Sequence, residues 1–98
     1  MSAKKYLFHV TAETESSTEE VSSTGELHDL ILSVLRRNKS LTVFIPGWYA
    51  GLMVDKTNAQ STVVAFRYGD DESTVKVYST RKQACAAAAL TMWQWRNG

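Results

Sequence analysis

Cysteine, histidine and clustered carboxylates most often carry protein chemistry, and this chain of 98 residues spreads them thinly. It holds one cysteine, Cys85, and two histidines, His9 and His28. A metal centre needs several such ligands at short, recurring spacing, and none occurs here. Cys85 sits inside the alanine-rich run "RKQACAAAALTMW", where a thiol is buried and inert. His9 alternates with apolar residues in "KKYLFHVT", and His28 falls on the solvated side of a helical pattern. There is no glycine-rich phosphate loop. No catalytic residue, metal or cofactor is expected, and the chain reads as a non-enzymatic binding protein.

Three stretches carry binding chemistry instead. "STRKQACAAAALTMWQW", residues 79 to 95, reads as a helix entered through Thr80, with Arg81 and Lys82 in its first turn. A helix N-terminus is the positive end of a dipole, so cations there lose a few tenths of a kcal/mol (roughly). The same end presents free backbone N–H groups that favour an anion, and the two side chains would complete a phosphate cradle. Alternatively both are solvated or pair with Asp70, Asp71 or Glu72 on the preceding turn. Lys76 and Arg67 would extend a nucleic-acid-binding surface. In the second stretch, Glu13, Glu15, Glu19 and Glu20 follow one another with no intervening Lys or Arg. They either solubilise a connection or meet a basic surface on a protein partner. The third is "PGWYAG", residues 46 to 51, which sets Trp48 and Tyr49 between glycines. An exposed Trp there would anchor an interface, whereas a buried one would cover the edge of the core.

These residues are positioned by a regular pattern of elements. Residues 4 to 11 alternate as a strand that is mostly apolar on both faces. Residues 12 to 23, rich in Ser, Thr and Glu, predict a mobile acidic connection or a solvated edge extension. Ser23 and Glu26 have capping-box spacing, and Leu27, Leu30, Ile31, Val34 and Leu35 then share one helical face. Arg36, Arg37 and Lys39 stand at the end of that helix, where cations suit the dipole, with Asn38 as its cap. "LTVFIP", "YAGLMV", "STVVAFRY" and "STVKVYS" follow as strands, with "DKTNAQ" and "GDDE" as turns. Thr80 and Gln83 repeat the capping-box spacing before the last helix, whose alanines allow close approach to a sheet. The order β-α-β-β-β-β-α predicts a single α+β domain over 1–98. Its antiparallel sheet would have four to five strands, with two helices on one face.

The run "TRKQACAAAALTMW" and the strands before it resemble the C-terminal part of double-stranded RNA-binding domains. In that family a hydroxyl residue, two basic residues, an acidic or amide residue and alanines follow in this order. The resemblance implies that Arg81 and Lys82 contact phosphates across the major groove of A-form RNA. Cys85 stands where the family has a third basic residue, and the family's Gly-Pro-x-His turn is absent.

Charge is nearly balanced overall at +1, but unevenly distributed. Met1 to Leu35 holds two basic and six acidic residues, and Arg36 to Gly98 nine basic and four acidic. A lone cysteine points to a reducing compartment. No segment approaches the apolar length of a membrane span or a signal peptide, so a cytoplasmic location without membrane contact is expected. A macromolecular partner is expected, protein before nucleic acid, with the chain monomeric or homodimeric. In size and character the chain resembles the small inhibitors or adaptors that phages and mobile elements encode. A double-stranded RNA or other nucleic-acid-binding module is the alternative.

Overall fold

Strand alternation sorts the apolar residues to one side. Phe8 and Val10 are buried while Leu7 and His9 point the opposite way, and the same division runs from strand to strand. The computed structural model describes residues 4–54, 62–68 and 74–97. The elements run β1 (Tyr6–Ala12), β2 (Ser16–Val21), α1 (Thr24–Arg37), β3 (Ser40–Ile45), β4 (Trp48–Val54), β5 (Thr62–Tyr68), β6 (Thr74–Tyr78) and α2 (Arg81–Asn97). One six-stranded sheet has the order β2-β1-β3-β4-β5-β6, and every neighbouring pair is antiparallel. The class is α+β, as the sequence implies.

Two details differ from the sequence expectation. The sheet has six strands, not four to five. The added strand is β2, which lies within the stretch at 12–23 expected to be a mobile acidic connection or a solvated edge extension, and it forms an edge strand. It pairs with β1 from Tyr6↔Val21 to Thr11↔Ser16. Its backbone satisfies an edge of β1 that would otherwise be bare, and backbone pairing needs no apolar side chains. Only Val21 of the strand is buried, so alternation gave no signal. The turns at 55–60 and 69–72 lie outside the described residues.

Helix α1 is amphipathic, burying Leu27, Ile31, Leu32, Val34 and Leu35. Its start departs from the reciprocal box. Ser23 Oγ accepts from the Glu26 N–H at 3.1 Å, but the Glu26 carboxylate reaches one residue further back, to the Ser22 N–H at 3.0 Å and its hydroxyl at 2.8 Å. Helix α2 begins in the same way: Thr80 Oγ1 accepts from the Gln83 N–H at 3.1 Å, and Gln83 Oε1 accepts from the Ser79 hydroxyl at 2.8 Å. Each arrangement satisfies donors that a helix start leaves free.

The buried stripe of α2 is Ala84, Cys85, Ala88, Ala89 and Met92, each 0 % exposed. This slim face lets α2 lie against α1 and against β4, β5 and β6, while α1 covers β2 and β3. Beyond the alanines the helix thickens. Trp93 meets Tyr6 edge-on at 5.4 Å and stacks near Phe8 at 6.1 Å, and Trp95 contacts Trp48 and Phe66, each at 6.0 Å.

Between β3 and β4 the hairpin loop is Pro46-Gly47. Gly47 has φ +87°, and a proline followed by a positive-φ residue makes a type II turn. Trp48 and Tyr49 therefore belong to a strand and point to opposite faces.

Two substitutions test the packing by urea unfolding. Ala88→Leu overfills the α2 interface and is expected to cost about 1–3 kcal/mol. Thr62 is 0 % exposed and its Oγ1 has no hydrogen-bond partner among the described residues. Thr62→Val removes an unsatisfied buried hydroxyl and is expected to stabilise by about 1 kcal/mol.

Candidate functional site

Both helices lie on the same side of the sheet, so no described element covers the other side. The strand registers place Leu7 and His9 of β1, Thr42 and Phe44 of β3, Tyr49, Gly51 and Met53 of β4, Val63 and Ala65 of β5, and Val75 and Val77 of β6 on that open face. The large apolar side chains that stay exposed among the described residues are Leu7, Phe44, Tyr49, Met53, Val75, Val77 and Leu90. All except Leu90, which is on α2, belong to the open face. Val75 and Val77 are the most exposed, at 60 % and 63 %, on the outermost strand.

The face has relief. Thr42, Gly51 and Ala65 lie side by side across β3, β4 and β5, and their small size leaves a trough of about 330 Å³ bounded by Met53 and Val63. A Cβ built on Gly51 would meet nothing within 4 Å, so the sheet itself does not require glycine there. Beside the trough, His9 stacks on Phe44 at 4.9 Å, and its Nδ1 lies 2.8 Å from the Thr18 hydroxyl oxygen.

A second feature lies in the helix layer, where the end of α1 meets the start of α2. A cleft of about 390 Å³ is lined by Glu13, Thr14, Arg36, Arg37, Asn38, Lys39 and Arg81. Its wall is held by a polar knot. Arg37 donates to both carboxylate oxygens of Glu15, Nε at 2.9 Å and Nη2 at 2.6 Å, and its Nη1 donates to the Ser33 hydroxyl at 2.8 Å. Asn38, only 8 % exposed, donates to the Val34 carbonyl and to Glu15, each at 3.0 Å. Its Oδ1 accepts from the Thr14 N–H at 3.2 Å and hydroxyl at 2.8 Å. Asn38 thus caps α1 as expected, but from extended backbone and with its side chain also gripping the β1–β2 turn.

Hydrogen bonds from Arg37, then Asn38, hold the Glu15 carboxyl below its ordinary value of 4.5. Burial pushes the Cys85 thiol up to about 11, although Arg36 and Arg81 both pull it down.

The residues singled out in the sequence do not form one cluster. Tyr49 is on the open face. Trp48 is half-buried on the helix side against Trp95. Glu19 and Glu20 are exposed on β2, with Glu20 paired to Leu7 on the open face and Glu19 on the other side. Glu13 accepts from the Ser40 hydroxyl at 3.3 Å, and Glu15 is engaged within the fold. Arg81 lines the cleft, whereas Lys82 is exposed on α2 outside its lining. Lys76 is on β6 opposite Val64, and Arg67 occupies the register position opposite Tyr49.

Sequence reasoning missed Phe44, Met53, Val75 and Val77, because an apolar residue in either phase of a strand reads simply as buried. It also passed over Arg36 and Lys39, whose place at a helix end is explained by the dipole alone. No family model matches the chain, and comparison with curated proteins and with solved structures returned no match.

The depressed carboxyl of Glu15 sets a pH dependence. The folded chain holds this proton less readily than the unfolded one. The stabilisation is complete above the ordinary value of 4.5 and is lost as pH falls below it. Melting temperature followed against pH should therefore drop less steeply on the acid side in Glu15→Gln than in the natural chain.

Proposed function

We propose that this chain is a non-enzymatic protein-binding module, an inhibitor or adaptor, that engages its partner through the open face of its sheet. The observation that supports this most directly is the gathering of Leu7, Phe44, Tyr49, Met53, Val75 and Val77 on that one face. Scattered apolar residues are normal on a surface, but a contiguous apolar patch marks an interaction site. Among the strand positions of this face the formal charges are confined to Glu20 and Arg67. A nearly uncharged surface suits a protein partner and has little to offer a phosphate backbone.

Gly51 supports the same reading. Glycine inside a strand weakens it by roughly 0.5–1 kcal/mol relative to alanine and often marks close approach of another backbone or ligand. Here the space above it is open to solvent, so the close approach would come from outside the chain. Tyr49 and Phe44 flank the trough as aromatic anchors of the kind that dominate interfaces.

The test separates stability from binding. Gly51→Val fills the trough and adds a β-branched residue to the strand, so it is expected to fold at least as stably as the natural chain. A tagged natural chain should capture a defined protein from nuclease-treated host lysate. Gly51→Val and Tyr49→Ala should each weaken that capture, the latter by more than ~1 kcal/mol. Leu90→Ser, on the opposite side of the molecule, should leave it unchanged. Equal capture by all three variants would remove the open face from the interface.

A further inference from the structure

The cleft between the helix ends gathers more positive charge than the fold can use. Arg36, Arg37, Lys39 and Arg81 all line it, and only Arg37 is paired, through Glu15. The side chains of Arg36, Lys39 and Arg81 have no hydrogen-bond or ion-pair partner among the described residues. Glu13 is the one acid in the lining, and it accepts from the Ser40 hydroxyl. Among the described residues three cations without a side-chain partner thus face one carboxylate. Like charges brought together repel, and nothing in the packing of exposed side chains requires the arrangement.

The two guanidiniums come from different elements. Arg36 is in the last turn of α1 and Arg81 is the first residue of α2, and both are near enough to Cys85 to act on its thiol. Arg36 is explained in part by the negative end of the α1 dipole. Arg81 stands at the positive end of α2, where its charge is locally unfavourable. The cation that the helix does not want is the one that completes the cluster.

The geometry points to a phosphate-binding site in this cleft, with Arg36, Arg81 and Lys39 as its ligands. Arginine forks match phosphate oxygens in pairs, and the lysine adds a point charge. A phosphate dianion would balance the excess of three cations over Glu13. The volume of about 390 Å³ falls within the range of about 300–1,000 Å³ typical of small-ligand pockets. Asn38, held by its own hydrogen bonds, and the Glu15–Arg37 pair fix the wall of the cleft, and a pre-organised wall lowers the cost of binding. The site is distinct from the open face, and the two can fail separately. The phosphate could belong to a free polyphosphate or to a nucleic-acid backbone, and the test distinguishes them.

Sodium pyrophosphate is titrated into the full chain while its backbone amide resonances are recorded, and a short labelled RNA duplex is titrated separately by fluorescence anisotropy at rising salt. Pyrophosphate should shift the amides of residues 36–39 and 81–84 saturably. The double variant Arg36→Gln, Arg81→Gln should lose at least tenfold in pyrophosphate affinity, whereas Lys76→Gln, outside the cleft, should lose none. If the phosphate is that of a backbone, the duplex also binds, and the double variant lowers the slope of log affinity on log salt by about two contacts. If only pyrophosphate binds, the ligand is a free polyphosphate. Should the double variant fail to fold, Lys39→Gln, at an exposed position between α1 and β3, gives the same reading with a smaller loss. Absence of saturable shifts with pyrophosphate, or equal affinity in natural chain and cleft variants, overturns the assignment.

Discussion

Burial on one side only is the constraint from which the rest of the structure follows. The sheet is six strands wide, and two helices of 14 and 17 residues supply its only described cover. They fit together over one face because α2 presents alanine and cysteine where most helices present leucine. Its close approach joins α1, β4, β5 and β6 into one core with Phe8, Leu35, Leu52 and Val64 at 1 % exposure or less. Larger residues in the stripe would lift the helix off the sheet and expose both. No helix among the described residues is long and apolar enough to cross a membrane.

The same constraint creates the open face. A strand covered on one side ordinarily turns polar residues to solvent, as β2 does with Ser16, Thr18 and Glu20. Strands β4 and β6 do not. Tyr49 and Met53, then Val75 and Val77, are apolar in the phase that leads away from the helices. Contrast between the two edges sharpens the point: Glu19 and Glu20 guard the β2 edge against unwanted pairing, while Lys76 alone protects β6.

At the other side of the molecule, the meeting of helix ends does two jobs. Glu15, Arg37 and Asn38 tie the β1–β2 turn to the end of α1, satisfying a buried amide and a helix carbonyl in one knot. That knot also holds the wall against which Arg36, Lys39 and Arg81 gather. The cleft and the open face approach one another around the start of β3 and the end of β4. Glu13 and Lys39 line both the cleft and a neighbouring hollow, and that hollow's Ser40 and Met53 also line the trough. The two surfaces share one end of the protein.

Local chemistry was legible in the chain. The helix starts at Ser23 and Thr80, the periodic face of Leu27, Ile31, Val34 and Leu35 and the α+β class all follow from interactions between residues a few positions apart. Strand β2 was legible only as one of two alternatives, a solvated edge extension, because edge pairing is a backbone interaction to which its Ser, Thr and Glu side chains contribute little. Sidedness was not legible either. In "LTVFIP" apolar residues occupy both phases, and in "STVKVYS" Val75 and Val77 share the phase that alternation alone would bury; which phase meets a helix was decided when both helices packed on one side. Trp48 and Tyr49 are neighbours with similar chemistry, yet alternation within β4 sends one to Trp95 and the other to solvent. The cationic cleft is likewise a product of packing: Arg36 and Arg81 are distant in sequence, and only the antiparallel contact of α1 with α2 sets their charges around one space.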